Sequence, residues 1–453
     1  MINSIRMINF KNISDSTVDF KSNISGIYGP NGSGKTTIIE GISLLKSFFG
    51  MGDTHSDYSI KDDSLSDIIK KGEEKAELSM ELQYEDIIFK IGVIFERKEL
   101  NEVVVLKEYM EYKENKPRQK YKNLFTVENT SDGFLPKVFI EKSKKDQFGY
   151  FQKNLFKKNN TSFQSLIKKM NEFKSFFFIL ENEYSRLIEG NMEDNILNNI
   201  MINWKILSMA LKSINIITLK DQAICNMTYA IPIYSENKCI YLDKRENLYF
   251  ENIYEEIKKA VENINKLFPL FIPGVKVICE GEIKLESDIG TKYAVNIYIE
   301  RNGNKIDIFK ESTGTIKLFS ILSAIIQILK NEYSSLIIDE LDVHVFEYLL
   351  AFILSKLSSR IKGQLVFTSH NLLPMEKLDR NSIILSTTVS EEDSKGNTIE
   401  KVIYTYFKGK ISHTTNLRLK YLRSQYTWTE DNVTPLIINE SKIEKVLRDI
   451  GEK

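Results

Sequence analysis

An α/β fold, with a parallel core sheet and a separate antiparallel sheet beside it, is predicted by three observations. The apolar run "ISGIY" passes through a glycine-rich loop into the helical pattern "TTIIEGISLLKSFF". Far downstream, "SSLIIDELD" is an apolar run closed by two acids, as in a buried parallel strand whose C-terminal end delivers carboxylates to a crevice. Between them, "AELSMELQYEDIIFKIGVIFERKELNEVVVLKEYMEY" (Ala76 to Tyr112) alternates apolar and polar residues and breaks at "YED" and "KELNE". That pattern predicts an antiparallel three-strand meander.

Taken in chain order, "SIRMINFKN" and "STVDF" read as two short strands leading into the "SGIY" strand. The loop that follows, Gly29-Pro30-Asn31-Gly32-Ser33-Gly34-Lys35-Thr36, satisfies G-x-x-x-x-G-K-[ST] between a strand and a helix, the context a phosphate-binding loop requires. Its glycines allow consecutive N–H groups to turn inward toward phosphate oxygens. The helix starting near Lys35 adds the positive end of its dipole, Lys35 adds a charge for the outer phosphates, and the Thr36 hydroxyl is placed to ligate magnesium. Residues 29 to 37, including Thr37, are therefore the expected nucleotide contacts, with ATP and Mg2+ as ligands.

Residues from about Ser162 to Leu211 are helix-like, and a further helix is expected near "RENLYFENIYEEIKKAVENINKLF". The strand pair around "YAVNIYIERNGNKIDIF" turns at "RNGN", a strong hairpin signal. Sustained heptads are missing, which argues against a long coiled-coil arm, and no solenoid repeat is found. The expected divisions are 1–118, the first half of a nucleotide-binding head, and 119–272, an inserted mainly helical lobe. Residues 273–425 form the second half of the head and 426–453 a tail.

Lysine plus arginine equals aspartate plus glutamate, 62 each, so no global charge footprint for nucleic acid exists. Two local stretches, Tyr112 to Phe125 and Lys142 to Lys158, interleave basic and aromatic residues. They read first as solvated lysine-rich faces and otherwise as places for phosphates and stacked bases. Cys225, Cys239 and Cys279 show no paired metal-ligand spacing and are expected to be reduced. Without a signal sequence or an apolar run long enough to span a bilayer, the expected location is cytoplasmic and no membrane partner is expected.

The acidic strand supplies the rest of the chemistry. Asp339 is expected to hold magnesium, and Glu340 to orient or deprotonate the attacking water. One strand later, "GQLVFTSHN" ends in His370, whose imidazole could sense a γ-phosphate. Upstream, in "FKESTGTIKLFSILSAIIQIL", Ser312, Thr313, Gly314 and Thr315 cap a strongly apolar helix whose N-terminus is a second anion site. One ATP already has its own loop, so a second such site makes sense if it faces the nucleotide of another subunit.

The set "GPNGSGKTT", "ESTGTIKL", "LIIDELD" and "VFTSHN", in that order, resembles the ABC-type ATPase heads of the SMC, RecF and OLD clan of AAA-family ATPases. The resemblance covers about residues 1 to 112 and 295 to 425. It implies an ABC-type head, with Ser312 to Thr315 in the signature position, Glu340 as catalytic glutamate, Asp342 in the D-loop and His370 as switch histidine. Glu311 and Thr313 depart from the transporter signature, which weakens a transporter reading. A Q-loop glutamine is represented only by the candidates Gln147 and Gln152. A metabolite kinase would need neither the capped helix nor the paired acids.

Two readings remain. One is a RecF-like DNA repair or recombination ATPase that clamps on DNA. The other resembles the ATPase subunits of bacterial antiphage systems such as PARIS AriA or Septu PtuA, in which ATP-driven homo-oligomers restrain a separate nuclease or toxin. About eighty residues follow His370 without an acidic metal cluster, so a nuclease is expected in trans.

Overall fold

The computed structural model describes residues 1–49, 67–98, 103–130, 133–138, 175, 195–218, 230–235, 238–245, 247–287, 290–392, 398–407 and 416–422. Strands β1 (Ile2–Phe10) and β2 (Ile13–Asp19) form a hairpin, and β3 (Ile24–Tyr28) leads through the glycine loop into α1 (Lys35–Phe48). The meander follows as β4 (Lys75–Tyr84), β5 (Ile87–Arg97) and β6 (Val103–Glu114), continued by β7 (Lys122–Thr130) and β8 (Gly133–Val138). These strands make one antiparallel sheet, ordered β2-β1-β4-β5-β6-β7-β8. The "YED" break is its β4–β5 turn, where Glu85 takes a φ of 51°.

Helix α2 (Asn195–Lys212) runs into β9 (Ile214–Ile217); β10 (Ala230–Ser235) pairs with β11 (Lys238–Asp243). Next come β12 (Leu248–Phe250), α3 (Glu251–Ile264), the short α4 (Phe268–Phe271), β13 (Val275–Ser287), β14 (Gly290–Arg301) and β15 (Asn304–Asp307). The "RNGN" turn joins β14 to β15 with Asn302 and Gly303 at φ 51° and 82°, a two-residue loop whose left-handed backbone matches strand twist. The chain ends its described course with α5 (Thr313–Lys330), β16 (Ser335–Ile338), α6 (Glu347–Leu357), β17 (Gln364–Thr368), β18 (Ile383–Glu392), β19 (Thr398–Tyr406) and α7 (Leu417–Leu422).

The core sheet is ordered β19-β18-β3-β17-β16-β9 and is parallel except at its β19 edge. Both of its faces are covered, so its strands read as continuous apolar runs. On one face, Ile27, Ile337, Val366 and Ile384 pack with α1 and the antiparallel sheet. On the other, Leu336, Ile338, Leu365 and Phe367 meet α5 and α6. Gly41 lets α1 lie close to the antiparallel sheet, since a Cβ there would stand 3.1 Å from Ile5. A phosphate-loop strand in a parallel core sheet, with an antiparallel sheet stacked across α1, is the α/β arrangement expected from the sequence for an ABC-type head.

Helix α5 serves two cores. Ile321, Ile325 and Ile328 face the parallel sheet, while Leu318, Phe319, Leu322 and Ile326 face α3 and the β13–β15 sheet. Being apolar all round, it is the one helix among the described residues long and apolar enough to cross a bilayer, contrary to the sequence reading, yet 72% of it is buried in the fold. The longest described helices, α2 and α5, have 18 residues each.

The stretch 119–272, read as a mainly helical insertion, holds strands as well as helices among its described residues. β7 and β8 extend the antiparallel sheet, and β9 joins the core sheet beside β16. The boundary at 118 falls in the β6–β7 connection, whose exposed, lysine-rich tip lacks the apolar alternation of the strands on either side.

Candidate active site

The loop from Gly29 to Gly34 is walled by the neighbouring strands. Ser33 Oγ lies 2.7 Å from Ser386 Oγ on β18, and the Tyr404 hydroxyl of β19 donates to the Gly34 carbonyl at 2.8 Å. Gly32 and Gly34 take φ of 78° and 84°, where a side chain is strained. At Gly32 a Cβ would meet nothing within 4 Å, so the loop is open on that side. Lys35 is buried at the start of α1 and donates to the carbonyls of Gly29 and Pro30 at 2.8 and 2.9 Å. Burial lowers its pKa, against the pull of the nearby Glu340, Asp339 and Asp342 carboxylates. Asn31 and Gly32 are exposed at the loop's tip. The Thr37 hydroxyl turns to the Asn12 side chain (3.3 Å), which also reaches the Gly32 carbonyl.

Sheet order brings the second half of the site to this loop. β17 lies between β3 and β16, so the ends of all three strands share one edge. Asp339, just past β16, is buried and accepts from the Thr36 hydroxyl at 3.2 Å and the Thr368 hydroxyl at 2.6 Å. Thr368 Oγ1 in turn accepts the Glu340 N–H at 2.7 Å. Glu340 sits at φ 48°, a left-handed conformation unusual for a residue with a side chain. Its carbonyl accepts from the Lys317 amine of α5 at 2.9 Å, and the same amine donates to the Val343 carbonyl at 2.7 Å. Burial pushes the Lys317 pKa down to about 8.

The turn after Glu340 is tied to the strand beside it. The Asp342 carboxylate accepts the backbone N–H groups of His370 and Asn371 at 3.0–3.3 Å. The structure thus engages Asp342 within its own chain, and His370 is exposed at the end of β17. At the N-terminus of α5, Ser312 Oγ accepts the Thr315 N–H at 3.2 Å and lies 2.9 Å from Thr315 Oγ1. Gly314, expected to leave the backbone open, instead allows close approach to the Glu340–His344 turn: a Cβ there would stand 2.8 Å from the His344 carbonyl oxygen. Ser312 and Thr313 are exposed. Among the described residues, no hydrogen bond or ion pair joins residues 312–315 to residues 29–37.

The donors fit a magnesium nucleotide. A buried cation stands beside an open glycine loop, and a hydroxyl–carboxylate pair, Thr36 with Asp339, supplies hard oxygen ligands. No group of three or more His, Cys, Asp or Glu among the described residues could cage a metal, but magnesium is ordinarily held by one or two side chains plus phosphates and water.

Thr368, Asn12 and Lys317 were missed in the sequence. The only cue to Thr368 was a hydroxyl two residues before His370 at a strand end. Replacing it, Thr368→Val, strands a buried carboxylate oxygen and the Glu340 N–H, so stability should fall by about 1–3 kcal/mol. ATP turnover should drop with it, and Thr368→Ser should recover both. A folded valine variant with the parent's turnover would show that this hydroxyl does not organise the acids.

The tyrosines of the first basic stretch are covered by lysines of the same chain. Lys113 Nζ stands 4.1 Å over the Tyr121 ring and Lys122 Nζ 6.0 Å over Tyr112. The second stretch, the Q-loop candidates Gln147 and Gln152, and Cys225 lie outside the described residues. Among the described residues, neither Cys239 nor Cys279 is in a disulfide.

A family described as "AAA domain, putative AbiEii toxin, Type IV TA system" matches residues 24–376. The DNA replication and repair protein RecF of Francisella tularensis subsp. novicida (strain U112) is 50% identical over 44 residues, 10% of this chain and 13% of that protein. The match thus spans about an eighth of the RecF chain. Among solved structures, an SMC head bound to the C-winged helix domain of ScpA is 15% identical, with a TM-score of 0.46 over 90% of this chain and 98% of that one. The SMC head domain from Thermotoga maritima is 15% identical, with a TM-score of 0.35 over 89% and 98%.

Proposed function

The chain belongs to this AAA-domain family, and on that premise we propose that it binds and hydrolyses ATP at sites shared between two copies, so that nucleotide occupancy controls assembly. Residues 29–37 cradle the phosphates, and the Lys35 amine exchanges its loop carbonyls for the outer phosphate oxygens. The Thr36 hydroxyl and Asp339 carboxylate hold magnesium, whose charge offsets that on the phosphoryl oxygens. Glu340 takes the proton of the attacking water, and Thr368 fixes the direction in which it points. His370 and Asp342, tied through the main chain, sit at the seam and sense the γ-phosphate.

The observation that carries the shared site is the N-terminus of α5. It offers N–H groups and roughly half a positive charge, its cap residues are exposed, and its bonds run to its own turn rather than to its own loop. The γ-phosphate held by a neighbouring copy satisfies that end. The test is sedimentation velocity with ATP and with ADP: the larger species should form with ATP only. Lys35→Ala removes a charge-assisted bond worth about 1.5–3 kcal/mol, so ATP should bind roughly ten- to a hundredfold more weakly and assembly should fail at ordinary ATP concentrations. Parent-like binding by this variant would remove residues 29–37 from the site.

The assembly is proposed to restrain a separate nuclease or toxin in antiphage defence. The zero net charge supports this over a DNA clamp, and the family description places related AAA domains in toxin–antitoxin systems. The clamp reading draws on the lysine and tyrosine pairs of the β6–β7 hairpin and on the short likeness to RecF. Salt-dependent stimulation of hydrolysis by duplex DNA would favour it.

A further inference from the structure

Glu340 holds a left-handed backbone conformation, at φ 48°, that is unfavourable for a residue with a side chain, so something must fix it from outside. Two side chains do so. Its N–H is held by Thr368 of β17, and its C=O by Lys317 of α5. Lys317 is buried, yet its two bonds go to main-chain carbonyls, of Glu340 and Val343, rather than to a carboxylate. An apolar side chain would fill the same volume without the cost of burying an ammonium. What the amine adds is a rigid link: it lies on α5 five residues after the Ser312 cap, little more than one helical turn away.

We propose that Lys317 is a positioning residue that joins two ATP sites through one chain. The N-terminus of α5 belongs to the neighbour's nucleotide, whereas Glu340 acts on the nucleotide of its own loop. When α5 is seated by the neighbour's γ-phosphate, Lys317 holds the Glu340 and Val343 carbonyls in register and the carboxylate is aimed. When α5 is not seated, that hold slackens. Hydrolysis is therefore cooperative in ATP. The inference rests on the shared-site reading above.

The test is Lys317→Met, which keeps length and loses the donors, on the parent and on a Glu340→Gln background. With a melting curve showing a folded chain, binding of a fluorescent ATP analogue and KM should stay within about threefold, kcat should fall about tenfold or more, and the Hill coefficient should drop to about one. On the Glu340→Gln background, single-turnover hydrolysis should show no further loss, because the two residues act as a unit. Lys317→Arg, whose guanidinium can also donate to two carbonyls, should retain cooperativity. An unchanged kcat in the methionine variant, an equal loss on both backgrounds, or a folded arginine variant without cooperativity would each overturn the proposal. If instead the shared site is at fault, the parent already has a Hill coefficient of about one while the non-additivity with Glu340 persists.

Discussion

Glu340→Gln should keep ATP bound and slow its hydrolysis about a hundredfold or more, the range a positioned general base supplies. The amide preserves the shape of the carboxylate but cannot accept a proton from water. The structure adds a reason to expect a clean result. Glu340 is held through its main chain, by the Thr368 hydroxyl on its N–H and the Lys317 amine on its C=O, and neither bond involves the side chain being changed. Fold and nucleotide affinity should therefore survive, with binding within about threefold of the parent, and assemblies should accumulate in the ATP-bound form. Turnover within about threefold of the parent would reassign the base to another group.

The parts of the site that were legible in the sequence are those where one local pattern carries the whole physical requirement. The glycine loop needs left-handed backbone at Gly32 and Gly34, and glycine supplies it wherever the chain goes. The "RNGN" and "YED" turns behave likewise, as does the alternation of β4 to β6. Residues whose role depends on sheet order could not be read. Thr368 matters because β17 lies between β3 and β16, and nothing in "VFTSHN" announces its neighbours. Lys317 looks like a surface lysine on an apolar helix until the turn after Glu340 is folded over it. Strand β9 is four residues long and follows a helix with a similar apolar content, so its place at the edge of the core sheet is a tertiary fact.

A mixture of a Lys35→Ala chain with a chain disabled at the N-terminus of α5 should recover hydrolysis that neither has alone. Gly314→Asp is the wrong choice for the second chain. Its Cβ would press on the His344 carbonyl of the same chain, so a loss of activity would report damage to the turn after Glu340. Thr313→Asp is better. Thr313 is the exposed first residue of α5, where a carboxylate favours the helix by about 0.3–1 kcal/mol, so the fold should hold. The same carboxylate repels a γ-phosphate brought to that end by another copy. Each chain by itself lacks one half of every shared site. In a mixed pair, the loop of the Thr313→Asp chain meets the intact α5 of the Lys35→Ala chain, and one of the two sites is whole. With equal amounts and random pairing, roughly a quarter of the parent activity should return if the sites act independently, and less if Lys317 couples them. Both chains must be shown to be folded and in one assembly, for instance by different tags in a sedimenting species. Absence of recovery in such an assembly would mean that each copy completes its own site, and α5 would then need another anion to explain its exposed, capped N-terminus.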